Sequence, residues 1–73
     1  MGPPDPKDIL VNTARDLGQL AGDLNRTKAD VAHWLDAPEY APLRHRLEAA
    51  HAAVEAALVE ARRRVRLNEE NGQ

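Results

Sequence analysis

The chain has no cysteine and no phenylalanine, and its only aromatic residues of the Phe, Trp and Tyr type are Trp34 and Tyr40. Without cysteine there is no disulfide framework, no thiolate metal site and no thiol nucleophile. Few aromatics beside abundant alanine and charges of both signs favour helix over sheet. No apolar run approaches the length of a membrane span. The opening MGPPDPKD has neither the basic flank nor the apolar stretch of a secretory signal. The expectation is therefore a soluble, cytoplasmic protein with no membrane partner. An excess of positive charge is missing too. The net charge is -2, and residues 1–36 set Lys7, Arg15, Arg26 and Lys28 against six aspartates. Domains that live on phosphate contacts are usually more basic, so a nucleic-acid surface here has to be a local patch.

Catalytic chemistry has no foothold. The sequence contains no phosphate-cradling glycine loop, no nucleophile motif and no persuasive carboxylate pair. Of the three histidines, His45 and His51 are six apart, off the four-residue spacing that lets two helical side chains share a metal. No enzyme activity, no cofactor and no metal are expected. At 73 residues the chain is one small domain. A domain of that size buries a modest share of its surface, so a partner or a second copy often supplies the rest.

What is present is helical patterning. Asp5 can cap a helix, Pro6 suits its first position, and Asp8 stands where a capping box places a carboxylate. Leu10, Ala14, Leu17, Ala21 and Leu24 then recur in steps of three and four along one face. Asp16 with Gln19 can start a fresh helix and Gly18 weakens the middle, which favours a break near Arg15-Asp16, with a single helix from Pro6 to Leu24 as the alternative. Asn25 is a plausible helix stop, and Thr27 with Asp30 forms a capping box for a helix from Lys28 to about Asp36. Ala37-Pro38 closes that helix, because a residue before proline avoids helical geometry. From Pro38 to about Leu67 nothing interrupts a last helix, roughly 45 Å long at 1.5 Å per residue. Its apolar positions are Tyr40, Leu43, Leu47, Ala50, Val54, Leu58, Ala61 and Val65, with a change of frame after Val54. The preceding helices are too short to cover it, so Leu47, Val54, Leu58, Ala61 and Val65 are expected at an oligomer interface.

The corner at Asn25-Arg26-Thr27 meets the demands of a helix-turn-helix. Ala21 is small where two helices would cross, Leu24 closes the first, Asn25 tolerates the turn, and Val31 and Trp34 hold the second helix to the core. Arg26, Lys28, Ala29, Ala32 and His33 then form the candidate nucleic-acid surface. Arg26 would reach phosphate from the turn, and Lys28 is placed to donate to guanine edges. The run Arg62-Arg63-Arg64-Val65-Arg66 reads instead as a solvated face, stabilised at a helix C-terminus.

With those residues in view, Asp16 to about Arg64 resembles the N-terminal domain of phage small terminase subunits. Trp34-Leu35-Asp36-Ala37-Pro38-Glu39-Tyr40 looks like that family's proline-acid-aromatic element, and Leu47 to Arg64 looks like its long helix. The resemblance implies recognition of double-stranded viral DNA, a ring-like homo-oligomer, and delivery of DNA to a separate packaging ATPase-nuclease subunit. A phage-type regulator would share the pattern. The expected organisation is all-α: a flexible lead at 1–4, a helix-turn-helix region at 5–36, a long oligomerisation helix at 37–67, and a frayed tail at 68–73. The competing expectation is an all-helical assembly protein that does not bind nucleic acid. A basic face around Arg26 and Lys28 separates the two.

Overall fold

The structure, a computed structural model, describes residues 2–71. Met1 of the expected lead and residues 72–73 of the expected tail lie outside that range. Helix α1 runs unbroken over Pro6–Trp34, a single 3-10 turn follows at Pro38–Tyr40, and helix α2 runs over Ala41–Asn71. The start of α1 is the one its sequence requires. Asp5 is the N-cap, its Oδ1 accepts from the Lys7 backbone N–H at 3.0 Å, and Pro6 takes the first helical position. Its end follows from proline. Ala37 is extended ahead of Pro38, with φ -62° and ψ 150°. The chain then reverses, and α2 returns antiparallel along α1. Lys7 Nζ lies 3.9 Å from Glu69 Oε1 at the open end. At the closed end the Arg44 guanidinium donates to the carbonyls of Leu35 at 2.7 Å and Ala37 at 3.1 Å.

Two expectations fail here for one reason. Neither Arg15-Asp16 nor Asn25-Arg26-Thr27 breaks α1, so the helix-turn-helix corner is absent and residues 5–36 are not two or three helices. Along α1 and its C-cap, Leu10, Ala14, Leu17, Ala21, Leu24, Lys28, Val31 and Leu35 are covered, spaced alternately by four and three, with Gly18 half-buried beside them. That is an uninterrupted heptad seam. Asn25, Arg26 and Thr27 stand off the seam, so staying helical costs each only a few tenths of a kcal/mol in propensity. A turn there would swing Val31 and Leu35 out of line, and a buried apolar side chain is worth about 1.5–3 kcal/mol. Packing wins over the local cap.

The α2 seam repeats the pattern through Tyr40, Arg44, Leu47, His51, Val54, Leu58, Ala61, Val65 and Asn68. The step from Val54 to Leu58 is therefore no change of frame. Two polar residues, Arg44 and His51, occupy seam positions and hide the second apolar row. The helix also continues past the expected end at Leu67, to Asn71. Ala21, Leu58 and Ala61 are buried, and among the described residues no side chain is sealed from solvent completely. The molecule is elongated, 54 × 24 × 15 Å. Its radius of gyration is 16.5 Å, against about 11 Å for a compact chain of this length.

Candidate interaction surface

The seam leaves two long flanks, one on each side of the hairpin. A heptad names its positions a to g; with the seam at a and d, positions e and b line one flank and g and c the other. In an antiparallel pair the e rows of both helices share a side. The grooves confirm the assignment. Val11 and Ala14 of α1 face a groove with Val59, Arg62, Val65 and Arg66 of α2. Further along, Gly18, Gly22 and Asn25 share a second groove with Glu55, Leu58 and Arg62. All belong to the e side or the seam. This flank is furrowed because glycine and alanine leave room beside α1, and it is charged throughout by Glu48, Glu55, Arg62 and Arg66.

The g flank is different in kind. From Leu20 to Trp34 its central row on α1 reads Leu20, Thr27, Trp34, and from Leu43 to Ala57 its row on α2 reads Leu43, Ala50, Ala57. None of these six is charged. Trp34 is 74% exposed, Leu20 45% and Leu43 42%. Ile9 and Leu67, also exposed, stand on the outer edge of the same flank. Of the large hydrophobic side chains exposed among the described residues, only Val11 and Val59 lie on the other side. The charges that border the g flank are segregated. Asp16, Asp23 and Asp30 recur every seven residues along the α1 edge, and Arg46 and Arg64 stand on α2. Glu60, on that α2 edge, is engaged by Arg64 at 2.8 Å and Arg63 at 3.3 Å. Those two hydrogen bonds, Arg64 first, hold its carboxyl below the ordinary range.

Between the flanks, the seam pairs two polar residues across the helices, in addition to Arg44 and Asn68. Lys28 Nζ lies 3.3 Å from His51 Nδ1, and His51 Nε2 lies 3.3 Å from Glu55 Oε1. An ammonium has only donors, so Nδ1 accepts and the ring proton sits on Nε2.

The residues expected to touch nucleic acid do not converge. Lys28 is a half-buried seam residue bonded to His51. Ala29 and Ala32 border a groove that Lys28, Arg44, Leu47 and Glu48 also line. Arg26 lies on the outward face, 3.7 Å from Asp23, and His33 meets the Trp34 ring edge-on at 4.6 Å. The residues expected between subunits are taken up inside the chain. Leu58 and Ala61 are buried, and Leu47, Val54 and Val65 are half-buried along the seam toward α1. Leu58 and Ala61 are thereby withdrawn from an interface between chains, while Leu47, Val54 and Val65 keep part of their surface open. Trp34, expected to hold a helix to the core, is 74% exposed instead, because its position falls one step off the seam, and Leu43, expected on the apolar stripe of the last helix, is 42% exposed for the same reason. The signal for them is their heptad position, legible once Arg44 and His51 are placed on the seam.

Among the described residues, no group of three or more His, Asp or Glu is placed to hold a metal ion. No helix among them is long and apolar enough to cross a membrane. No protein-family model, curated protein or solved structure matches the chain. Fold and surface together define its class: an all-α protein made of one antiparallel helical hairpin, with most of its exposed large hydrophobic side chains on one flank.

Proposed function

We propose that the chain is a non-catalytic helical interaction module, which presents its Leu20–Trp34–Leu43 flank to another protein and does not read nucleic acid. One observation carries this reading: most of its exposed large hydrophobic side chains lie on a single flank, along the rows Leu20–Thr27–Trp34 and Leu43–Ala50–Ala57 or their outer edge, beside the charges that border it. Scattered apolar residues on a surface need no explanation, whereas a contiguous patch marks a site of association. A tryptophan left three-quarters exposed is the residue type that most often anchors such contacts.

The small-terminase reading asks for more than this hairpin offers. Duplex DNA as ligand, and a packaging ATPase-nuclease as recipient, both depend on a recognition helix set off by a turn. Asn25, Arg26 and Thr27 are helical, Lys28 is committed to His51, and Arg26 to Asp23. The remaining basic run is partly neutralised by Glu60.

Titrating a fluorescent DNA duplex with the intact chain, at low and at moderate salt, tests the choice. The interaction reading expects no saturable binding at either. Salt-sensitive binding that the double substitution Arg26→Ala, Lys28→Ala abolishes, with helicity retained, would overturn it in favour of DNA.

A further inference from the structure

We infer that the g flank is occupied by a second copy of this chain, in a two-fold dimer that sets α1 of each copy against α2 of the other and completes a four-helix bundle. This rests on the interaction reading above and names its partner.

Area supports it first. The free chain exposes 5697 Å², whereas a compact monomer of 8.1 kDa exposes about 4,500 Å². The excess of roughly 1,200 Å² exceeds the ~800 Å² per partner that a standard stable interface buries. A flank 54 Å long and 24 Å wide has the reach to bury it.

Shape supports a second copy in particular. On this flank α1 offers large side chains, Leu20 and Trp34, while α2 between Leu43 and Ala57 offers only Ala50, Ala53 and Ala57 at flank positions apart from Arg46 at the edge. In the middle of the flank a large Leu20 on α1 thus stands level with small side chains on α2, while Trp34 and Leu43, both large, stand level near the closed end. A two-fold axis parallel to the helices exchanges the two helices, laying each α1 over the other copy's α2. The intrachain register is read from Lys28–His51 and Lys7–Glu69. Carried across that axis, it brings Leu20 to the level of the second copy's Ala57, Thr27 to Ala50 and Ile9 to Leu67.

Charge selects the same pairing. An axis perpendicular to the helices would stack α1 on α1 and set the row Asp16, Asp23, Asp30 against itself. The α1–α2 arrangement instead brings Asp30 level with Arg46 of the second copy. It brings Asp16 to the Glu60–Arg63–Arg64 cluster, whose net charge is positive. The e flank cannot serve as well, because Glu48, Arg62 and Arg66 would each lose water there without an obvious partner, and Glu55 would keep only its contact with His51.

Sedimentation equilibrium of the intact chain is the test, alongside Leu20→Glu/Leu43→Glu on the g flank and Val11→Glu/Val59→Glu on the e flank. Helicity is checked for each by circular dichroism. The expected masses are twice 8.1 kDa for the wild type and the e-flank variant, and 8.1 kDa for the g-flank variant. A second measurement does not depend on disruptive changes. The chain contains no cysteine, so Thr27→Cys and Ala50→Cys chains, mixed and oxidised, should give the mixed disulfide in large excess over either homodimer. A monomeric wild type at millimolar concentration would overturn the dimer; with no DNA binding, the interaction reading would survive with another partner. Dimer loss confined to the e-flank variant would move the interface to the furrowed side. A predominant Thr27→Cys homodimer would overturn the α1–α2 arrangement.

Discussion

The Lys28 ammonium lies 3.3 Å from His51 Nδ1 in the middle of the seam, and Glu55 Oε1 lies 3.3 Å from the other ring nitrogen. A polar pair at facing seam positions fixes register and costs stability relative to apolar packing. The double substitution Lys28→Leu, His51→Leu should therefore raise hairpin stability, by about 1–3 kcal/mol in urea denaturation. A fall in the unfolding midpoint would mean that the polar layer supports the fold outright. His51→Leu alone should gain less, because it leaves Lys28 half-buried without its acceptor.

Arg44 closes the reversal of the chain. Its guanidinium bonds the carbonyl of Leu35, the C-cap of α1, and that of Ala37, which also accepts from the Tyr40 N–H at 3.0 Å. Arg44→Ala should cost about 1.5–3 kcal/mol, the usual range for hydrogen bonds from a charged donor. Arg44→Met, which keeps the apolar stem on the seam, separates packing from capping: equal losses in both variants would assign the effect to the hydrogen bonds.

Continuity of α1 is testable by proline. In a turn, Arg26→Pro would be tolerated. Within a helix it removes a backbone hydrogen bond and clashes with the preceding turn, for about 3 kcal/mol or more. The expected outcome is loss of most helical circular dichroism at 25 °C. Wild-type helicity in this variant would restore the turn at Asn25–Thr27.

Gly18 and Gly22 sit in mid-helix with open space where a Cβ would project, nothing lying within 4 Å of either. Alanine at each position should stabilise the hairpin by about 0.5–1 kcal/mol, read as a higher thermal midpoint. Destabilisation by either would show that something fills the e-side groove in solution.

Acid should weaken the α2 surface through Glu60. Its folded pKa lies below the ordinary value of 4.5, chiefly through the Arg64 hydrogen bond and then that of Arg63. A lowered carboxylate pKa contributes stability that is present above 4.5 and lost as pH falls through the folded value. The carboxylate is open to water, so the effect is small and shrinks with salt. Comparing acid titrations of the wild type and Glu60→Gln by circular dichroism checks it: the variant should lose less stability between pH 5 and pH 2 (roughly the carboxylate range).

Some of the molecule was legible from residue order and some was not. Asp5 and Pro6 set the start of α1 through contacts within three residues, and Ala37-Pro38 sets the reversal through backbone sterics. Both were readable because nothing distant can change them. Asn25 and Thr27 were misleading because the same residues that cap a helix also sit, at small cost, on its outer face. Arg44 and His51 hid the α2 seam, since a polar residue at an apolar register looks like an edge until its partners, the Leu35 and Ala37 carbonyls and Lys28, are in place.

By itself, the sequence determined the helical class, the two ends of the first helix that proline and aspartate mark, and the absence of thiol chemistry. Those are properties of single residues and their near neighbours. Only the tertiary structure decided that α1 is one helix, that Leu47, Val54, Leu58, Ala61 and Val65 line the seam inside the chain, and that Leu20, Trp34 and Leu43 are left outside. The seam is a collective choice. Each helix gains its burial only when the other lies beside it in register, and that gain outweighs the local preferences that a reader of the sequence can see.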